Sequence, residues 1–262
     1  MSIKAKKSLG QNFLIDKNVI KKIVSISDIL NKDVLEIGPG TGNLTEYILK
    51  RKPSKLFLVE KDNILSEQLQ LKFQNKVQII NQDILKIDEK KISNNRLIVF
   101  GNLPYNISTE IICNWIIKLE KKFWFTELIL MFQKEVADRI VSKINTSNYG
   151  RLSILLNWKM NIKKVFDIGP NCFSPKPKID SSLLHFTPKK DYFQIQKSKN
   201  LEMITRIFFN QRRKMIKNPF KQLFKNYEET SKKLEIDLRL RPQNLSLETY
   251  CSIVREYEKL TS

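Results

Sequence analysis

The chain carries the stretch Val34-Leu35-Glu36-Ile37-Gly38-Pro39-Gly40-Thr41-Gly42-Asn43-Leu44. In it, an apolar run leads through a glycine-rich turn into the start of a helical pattern. Glycine lets the backbone turn tightly and lets a ligand approach where a Cβ would collide. The order of strand, glycine turn and helix predicts the ligand-binding end of an α/β sheet. Nicotinamide and flavin enzymes also use such turns, so the motif alone leaves the cofactor open.

Apolar runs and helix-spaced segments alternate through the first two-thirds of the chain. The pattern predicts strands over residues 34–37, 56–59, 77–80, 97–100 and 128–132, and helices over 44–50, 64–73, 108–119, 134–144 and 151–158. Residues 165–187 predict two further strands, joined by a proline-containing loop, that close the sheet with a hairpin. The alternation is typical of a mostly parallel, Rossmann-like α/β sheet.

The charge of the chain is its strongest compositional signal. Its 262 residues include 47 Lys and Arg against 27 Asp and Glu, which gives a formal net charge of +20. Self-repulsion of this size opposes compactness unless a polyanion neutralises it, so we expect a nucleic acid partner. An anionic membrane surface is the weaker alternative, because no basic amphipathic helix stands apart from the folded pattern.

The composition turns polar near residue 190, and the remaining sequence has helical spacing without convincing strands. We therefore predict an α/β domain over residues 1–190 and a small all-α domain over residues 191–262. Seven basic residues and no acidic residue lie between positions 206 and 225. The interleaved phenylalanines are predicted to form the small domain's core. The predicted RNA contacts are Arg206, Arg212, Arg213 and Lys214.

Three cysteines lie far apart, and His185 is the one histidine. This set excludes a cysteine–histidine zinc site and a disulfide framework, so we expect no metal and a reducing, cytoplasmic environment. His185 lies in a strand-like run and is predicted to be structural. No run reaches the roughly 20 apolar residues of a membrane helix, and the basic start lacks the apolar stretch of a secretory signal.

Acidic residues follow or precede the ends of the first three predicted strands. Glu60 follows the second strand, where a carboxylate can accept from both ribose hydroxyls, and Asp83 follows the third, where it can accept from an adenine amine. Asn43 stands where the dinucleotide fingerprint has its third glycine. Glu36 precedes the turn, as a carboxylate often does in methyltransferases of this fold. These details favour S-adenosyl-L-methionine over a dinucleotide.

Asn102-Leu103-Pro104-Tyr105 follows the fourth predicted strand. Pro104 fixes its own φ and pushes Leu103 towards an extended conformation, so that the Leu103 carbonyl can lie beside the Asn102 amide. Two acceptors above an aromatic ring suit an exocyclic amine on a flat heterocycle, such as N6 of adenine. The alternative interpretation is an ordinary strand-to-loop turn.

Taken together, these motifs resemble the ribosomal RNA adenine N6,N6-dimethyltransferase family. The resemblance covers nearly the whole chain, and residues 241–246 (Arg-Pro-Gln-Asn-Leu-Ser) favour the small-subunit branch. The segments that carry it are Ser8-Leu9-Gly10-Gln11-Asn12-Phe13-Leu14, the glycine turn, Val59-Glu60-Lys61-Asp62, residues 101–108, 133–136 and 149–153, and Phe173-Ser174-Pro175-Lys176-Pro177-Lys178-Ile179-Asp180-Ser181.

The resemblance implies a class I methyltransferase sheet of seven strands with a small helical domain, and S-adenosyl-L-methionine as methyl donor. It implies as substrate the N6 groups of two adjacent adenosines in the 3′-terminal hairpin loop of 16S rRNA, within a small-subunit (30S) assembly intermediate. Nothing suggests more than a monomer.

The resemblance also implies roles for individual residues. The target adenine would be held by Asn102 and Leu103, with Tyr105 on one face and Phe173 on the other. The residues that would bind or cover the cofactor are Asn12, Leu14, Gly38, Gly40, Glu60, Asp83 and Asn102.

Three alternatives remain open from the sequence. A dinucleotide oxidoreductase shares the glycine turn but leaves the basic charge and the Asn-Leu-Pro-Tyr acceptors unexplained. The large-subunit branch of the same family would perform the same chemistry on another RNA. A non-enzymatic RNA or transcription factor could use the same scaffold, although the presence of Asn102, Tyr105 and Glu60 together argues against it.

Overall fold

The computed structural model of the protein describes Lys6 and residues 10–119 and 122–261. Its strands are β1 (Phe13–Leu14), β2 (Asp33–Ile37), β3 (Lys55–Val59), β4 (Gln78–Ile80), β5 (Leu97–Gly101), β6 (Phe125–Gln133), β7 (Met160–Ile168), β8 (Phe173–Ser174) and β9 (Ser181–Pro188). Seven of them form one sheet in the order β4-β3-β2-β5-β6-β9-β7. Strands β2 to β6 pair in parallel, and β9 runs antiparallel to β6. The predicted, mostly parallel α/β sheet is confirmed, and it is closed by β7 and β9, as predicted.

The central strands lie where the apolar runs predicted them. All five residues of β2 and all five of β5 are buried, as expected of parallel strands covered on both faces. The order reverses between β2 and β5, since β3 and β4 lie on one side of β2 and β5 on the other. In open α/β sheets this switch point opens a crevice at the carboxyl ends of the strands.

The helices are α1 (Lys17–Val24), α2 (Asn43–Lys50), α3 (Asn63–Phe73), α4 (Ser108–Lys118), α5 (Lys134–Ile140), α6 (Arg151–Lys159), α7 (Ser198–Phe209), α8 (Lys217–Leu223), α9 (Tyr227–Lys233) and α10 (Leu247–Thr261). Helix α5 ends four residues earlier than predicted. The Ser153 hydroxyl donates to the Arg139 carbonyl and the Asn157 amide to the Ile140 carbonyl, at 2.6 and 3.0 Å. These bonds satisfy the last carbonyls of α5 in place of a further turn.

Strands β1 and β8 form a separate two-stranded antiparallel sheet, in which Leu14 is opposite Phe173. No local pattern predicted this pairing. It fixes residues 13–14 beside the loop that joins the last two strands of the large sheet.

The chain divides into two compact units. The first comprises residues 1–112, 120–137 and 162–188, and the second residues 113–119, 138–161 and 189–262. The chain therefore passes between the two units several times, and the predicted boundary after residue 190 corresponds only to the last passage. Helix α6, assigned by sequence to the α/β domain, contributes Ile154, Leu155 and Trp158 to the same buried cluster as Leu201 and Phe208.

Three of the phenylalanines predicted for the second unit's core, Phe208, Phe220 and Phe224, are buried, and Phe209 packs half-buried against them. Among the described residues, no helix combines the length and the apolar character that a membrane crossing requires.

Candidate active site

A cavity opens at the carboxyl ends of β2, β3, β4 and β5, within the first unit, and measures about 1150 Å³ including space open to solvent. Its walls come from the segments that follow these strands and from residues 10–14. Every residue predicted for the cofactor lines it: Asn12, Leu14, Gly38, Gly40, Glu60, Asp83 and Asn102. Leu103 and Tyr105 line it as well, so the cofactor residues and three of the four base-binding residues meet in one place.

The glycine turn has a backbone conformation and a close side-chain neighbour that both favour glycine. Gly38 and Gly40 both have positive φ, +66° and +57°, a region that residues with a Cβ adopt rarely. A Cβ on Gly40 would lie 2.6 Å from the ring of Phe13. Phe13 also lines the cavity, although the sequence assigned a role only to its neighbours Asn12 and Leu14.

Glu60 lies immediately after β3 and is 6% exposed. Its two carboxylate oxygens accept hydrogen bonds from the backbone N–H groups of Gly40, at 3.2 Å, and Asp62, at 2.9 Å. Burial raises the pKa of Glu60 in spite of these bonds. The carboxylate is therefore fixed between the glycine turn and the segment that follows β3. It retains lone pairs for a ligand's hydroxyl groups.

Asp83 begins a short 3₁₀ turn and accepts from the N–H of Leu85 at 3.1 Å. Its other carboxylate oxygen lies 2.8 Å from the ammonium of Lys61. The hydrogen bond from Lys61 lowers the pKa of Asp83, so this acid is ionised at neutral pH. Lys61 lines the cavity too, although no role was predicted for it from sequence.

Glu36 is the deepest acid of the site, at 2% exposed. The Thr45 hydroxyl donates to its carboxyl group at 2.6 Å. Burial raises the pKa of Glu36 to about 8, with a further increase from the negative charge of Glu60. Without a cationic ligand, Glu36 is therefore largely protonated at pH 7.

The Asn102 amide is oriented by the N-terminal segment. Its Nδ2 donates a 2.7 Å hydrogen bond to the Asn12 carbonyl. Because the nitrogen is engaged, the oxygen of the amide is the acceptor that Asn102 presents to a ligand.

Leu103 and Pro104 give the corner its second acceptor. The Pro104 carbonyl accepts from the N–H groups of Ile107 and Ser108 at 3.1 and 3.0 Å. The Leu103 carbonyl accepts from none of the described residues. As predicted, the turn after Pro104 therefore leaves the Leu103 oxygen outside the local hydrogen bonding.

Tyr105 is half-buried, and its hydroxyl lies 2.5 Å from the Ser181 hydroxyl. Burial raises the pKa of Tyr105, so the phenol is neutral at physiological pH. The ring is thus attached at both ends, through the backbone at Pro104 and through Ser181 at its hydroxyl.

Phe173 is not brought to the cavity, which departs from the sequence prediction. It is 3% exposed and belongs to the first unit's buried cluster together with Leu14. The pairing of β8 with β1 holds the two residues opposite each other. Apolar burial and strand pairing thus account for the place of this side chain in the structure, and its contact with a base stays a prediction.

The N-terminal segment is pinned to the site at several points. The Asn43 amide donates to the Leu14 carbonyl at 2.8 Å, and the Gln11 amide donates to Asp62 at 3.2 Å. Lys6 forms an ion pair with the same Asp62 at 2.8 Å. Ser8 and Leu9, which belong to the N-terminal motif, lie outside the described residues.

The predicted RNA contacts lie in the second unit and divide into two groups. Arg206, Arg213 and Lys214 are exposed. Arg212 is not: its guanidinium donates to the carbonyls of Thr146, Ser147 and Tyr149. Arg212 is therefore a structural clamp on residues 146–149, which it holds through its Nη2 group.

No group of metal-ligating side chains occurs among the residues that the structure describes. His185 lies in β9, 2.7 Å from the carboxylate of Glu127. It does not line the cavity, in agreement with the structural role predicted for it.

The donor set fits S-adenosylmethionine. The glycine turn leaves room for a ligand against the backbone, and the acids Glu60 and Asp83 give the cavity hydrogen-bond acceptors suited to a cationic ligand with ribose hydroxyls. The fold and this site define a class I S-adenosylmethionine-dependent methyltransferase.

Comparison with known proteins identifies the family. The model of the ribosomal RNA adenine dimethylase family matches residues 2–259. The chain is 64% identical to the ribosomal RNA small subunit methyltransferase A of Pelagibacter ubique (strain HTCC1062) over 260 residues, 99% of each chain. The chain belongs to the ribosomal RNA adenine dimethylase family. It is an enzyme that methylates ribosomal RNA adenines, with S-adenosylmethionine as methyl donor, which excludes the oxidoreductase and non-enzymatic alternatives.

Solved structures agree with the predicted fold. A dimethyladenosine transferase from Plasmodium falciparum has a TM-score of 0.78 at 24% identity, over 94% of this chain and 98% of that one. The 23S rRNA methyltransferase ErmE has a TM-score of 0.68 at 20% identity, over 96% and 100%.

Proposed function

We propose that the protein dimethylates N6 of two adjacent adenosines in the 3′-terminal hairpin loop of 16S rRNA. The single observation that carries the proposed chemistry is the hydrogen bond from Asn102 to the Asn12 carbonyl, which engages the amide nitrogen and leaves the amide oxygen of a cavity-lining residue as the free acceptor. The choice of the small subunit is supported by the full-length likeness to a protein named for that subunit.

The amine of adenine is a poor nucleophile because its lone pair is delocalised into the ring. Hydrogen bonds from N6–H to the Asn102 oxygen and the Leu103 carbonyl favour a pyramidal nitrogen, whose lone pair is then available for methyl transfer. Fixed acceptors act most strongly where water is excluded. Leu103 is 1% exposed, so the corner offers such a setting.

The cofactor supplies an electrophilic methyl group on a sulfonium. In the proposed site Glu60 would accept from its ribose hydroxyls and Asp83 from its adenine amine, and the turn at Gly38 and Gly40 would admit it against the backbone. Asn12 and Leu14 would cover it. The alkylated amine of the product has an acidic proton that water can take, so the mechanism needs no strong base.

Tyr105 stacks on one face of the extruded adenine in this proposal. Its neutral phenol is tied to Ser181, which holds the ring in place. Stacking of a base on an aromatic side chain contributes about 1–3 kcal/mol and offsets part of the cost of taking the base out of its stack.

The proposed substrate is 16S rRNA within a small-subunit (30S) assembly intermediate, bound by a monomer in the cytoplasm. The net charge of +20 supports a polyanionic partner. Arg206, Arg213 and Lys214 are exposed and are proposed as phosphate contacts. Arg212 is left out because its Nη2 group is engaged by the carbonyls of residues 146–149.

The test is transfer of radiolabelled methyl groups to undermethylated 30S subunits, followed by primer-extension mapping of the modified nucleotides. We expect two adjacent dimethylated adenosines near the 3′ end of 16S rRNA, and none with Asn102→Ala although its RNA affinity is retained. Methylation of 23S rRNA alone would contradict the substrate assignment. Unchanged turnover by Asn102→Ala would contradict the acceptor role.

A further inference from the structure

Two neighbouring serines open the last strand of the sheet, and both are fully buried. Successive side chains of a strand point to opposite faces. The Ser181 hydroxyl lies 2.5 Å from the Tyr105 hydroxyl, whereas the Ser182 hydroxyl donates to Asp167 at 2.6 Å. Ser181 is thus the serine that contacts the cavity wall.

The position of Ser181 is set by the sheet and not by a loop. Ser181 is opposite Gln133 of β6 in the antiparallel ladder. Strand β6 in turn pairs with β5, whose last residue immediately precedes the Asn102 corner. Tyr105 therefore has its backbone fixed by one strand end and its hydroxyl fixed by another.

We infer that Ser181 is a positioning residue for the methyl transfer: its hydroxyl holds the Tyr105 ring at the angle at which it stacks on the target adenine. This inference rests on the proposed function. A ring attached at both ends keeps one orientation while the amine turns about its C6–N6 bond between the two transfers. Loss of the Ser181 hydroxyl leaves the ring in the cavity but frees its outer end.

The experiment compares Ser181→Ala, Tyr105→Phe and the double variant with the matched control Ser182→Ala, which removes an equally buried hydroxyl that does not touch Tyr105. For each protein we measure kcat and KM on undermethylated 30S subunits and the ratio of N6-monomethyl to N6,N6-dimethyladenosine. A second readout needs no cofactor: fluorescence quenching of an RNA hairpin that carries 2-aminopurine at the target position. Thermal unfolding follows the stability of every variant.

We expect Ser181→Ala to lower kcat about three- to tenfold, the effect of one lost hydrogen bond, with KM nearly unchanged. The monomethyl fraction should rise and the quenching should weaken. The double variant should match Tyr105→Phe alone, since both substitutions remove the same contact. Ser182→Ala should stay within about twofold of the wild type.

Equal kinetics and quenching for Ser181→Ala and Ser182→Ala would overturn the inference, and so would independent effects that multiply in the double variant. If Ser181→Ala does not fold, Ser181→Cys keeps a side chain of similar size with a weaker hydrogen bond and is judged by the same two readouts. Failure of the proposed function looks different, because the wild type itself would then leave 16S rRNA unmodified.

Discussion

The side-chain amide of Asn102 donates to the main-chain carbonyl of Asn12, 2.7 Å away, and so connects the end of β5 to the N-terminal segment. The bond assigns the two ends of the amide: the nitrogen is engaged by the protein, and the oxygen is left as the acceptor. The N-terminal segment is in turn fixed by Asn43, which donates to the Leu14 carbonyl, and by Asp62, which accepts from Gln11. The acceptor for the substrate amine is therefore oriented by a segment that also lines the cofactor cavity.

Asn102→Asp tests this orientation with a change of one atom. A carboxylate has no donor for the Asn12 carbonyl and places an oxygen against an oxygen, so the side chain must turn away. We expect kcat to fall at least about a hundredfold, as when one preorganised polar group is lost, with RNA affinity within about twofold. Methyl incorporation and a filter-binding titration measure the two quantities. A variant with more than a tenth of wild-type turnover would show that the orientation is unimportant.

Gly40→Ala tests the close approach in the glycine turn. The new Cβ would lie 2.6 Å from the Phe13 ring, at a φ of +57°. We expect affinity for S-adenosylmethionine, measured by calorimetry, to fall about tenfold or more, because the turn or Phe13 must move. Gly169→Ala is the matched control, since its Cβ meets nothing within 4 Å. Equal affinities for the two variants would contradict the role of the glycine turn in admitting the cofactor.

The sheet and most of its cavity could be predicted from sequence because their signals are local. Apolar runs gave the strands, and acids or amides at the strand ends gave Glu60, Asp83 and Asn102. The topology of the fold then brings these ends together. Phe173 could not be placed in this way, because its burial depends on a pairing with Leu14, far away in the chain.

The basic segment shows a second limit of local patterns. Charge density identified Arg212 and Arg213 alike, yet one guanidinium is used by carbonyls of residues 146–149 and the other is exposed. The difference arises because residues 146–149, distant in the sequence, place their carbonyls within hydrogen-bonding distance of Arg212. For the same reason the sequence placed α6 in the first domain, although its apolar face packs with that of α7.

Glu36 gives a pH dependence to folding. Its pKa in the folded protein is about 8 against an ordinary value of 4.5, so its stabilising contribution is complete below pH 4.5 and is lost as the pH rises through 8. We expect the free energy of unfolding without ligand to fall across this range by up to about 1.4 kcal/mol per pH unit. Glu36→Gln keeps the acceptor for Thr45 and should flatten that decrease, leaving a remainder from Glu60. Urea unfolding at pH 5, 6, 7 and 8 gives both slopes, and parallel slopes would refute the buried-acid account.

Arg212 and Arg213 are adjacent and carry the same charge, but their replacement should affect different properties: protein stability for Arg212 and RNA binding for Arg213. Arg212→Ala removes the Nη2 group that donates to three carbonyls, so we expect it to destabilise the protein by about 1–3 kcal/mol while the salt dependence of RNA binding is retained. Arg213→Ala should leave stability within about 0.5 kcal/mol and reduce the slope of log K against log salt by about 1, the effect of one lost phosphate contact. Urea unfolding and binding titrations at several salt concentrations separate the two effects. The same result for both variants would mean that burial and hydrogen bonding do not distinguish the clamp from the RNA contact, because only their common charge would then matter.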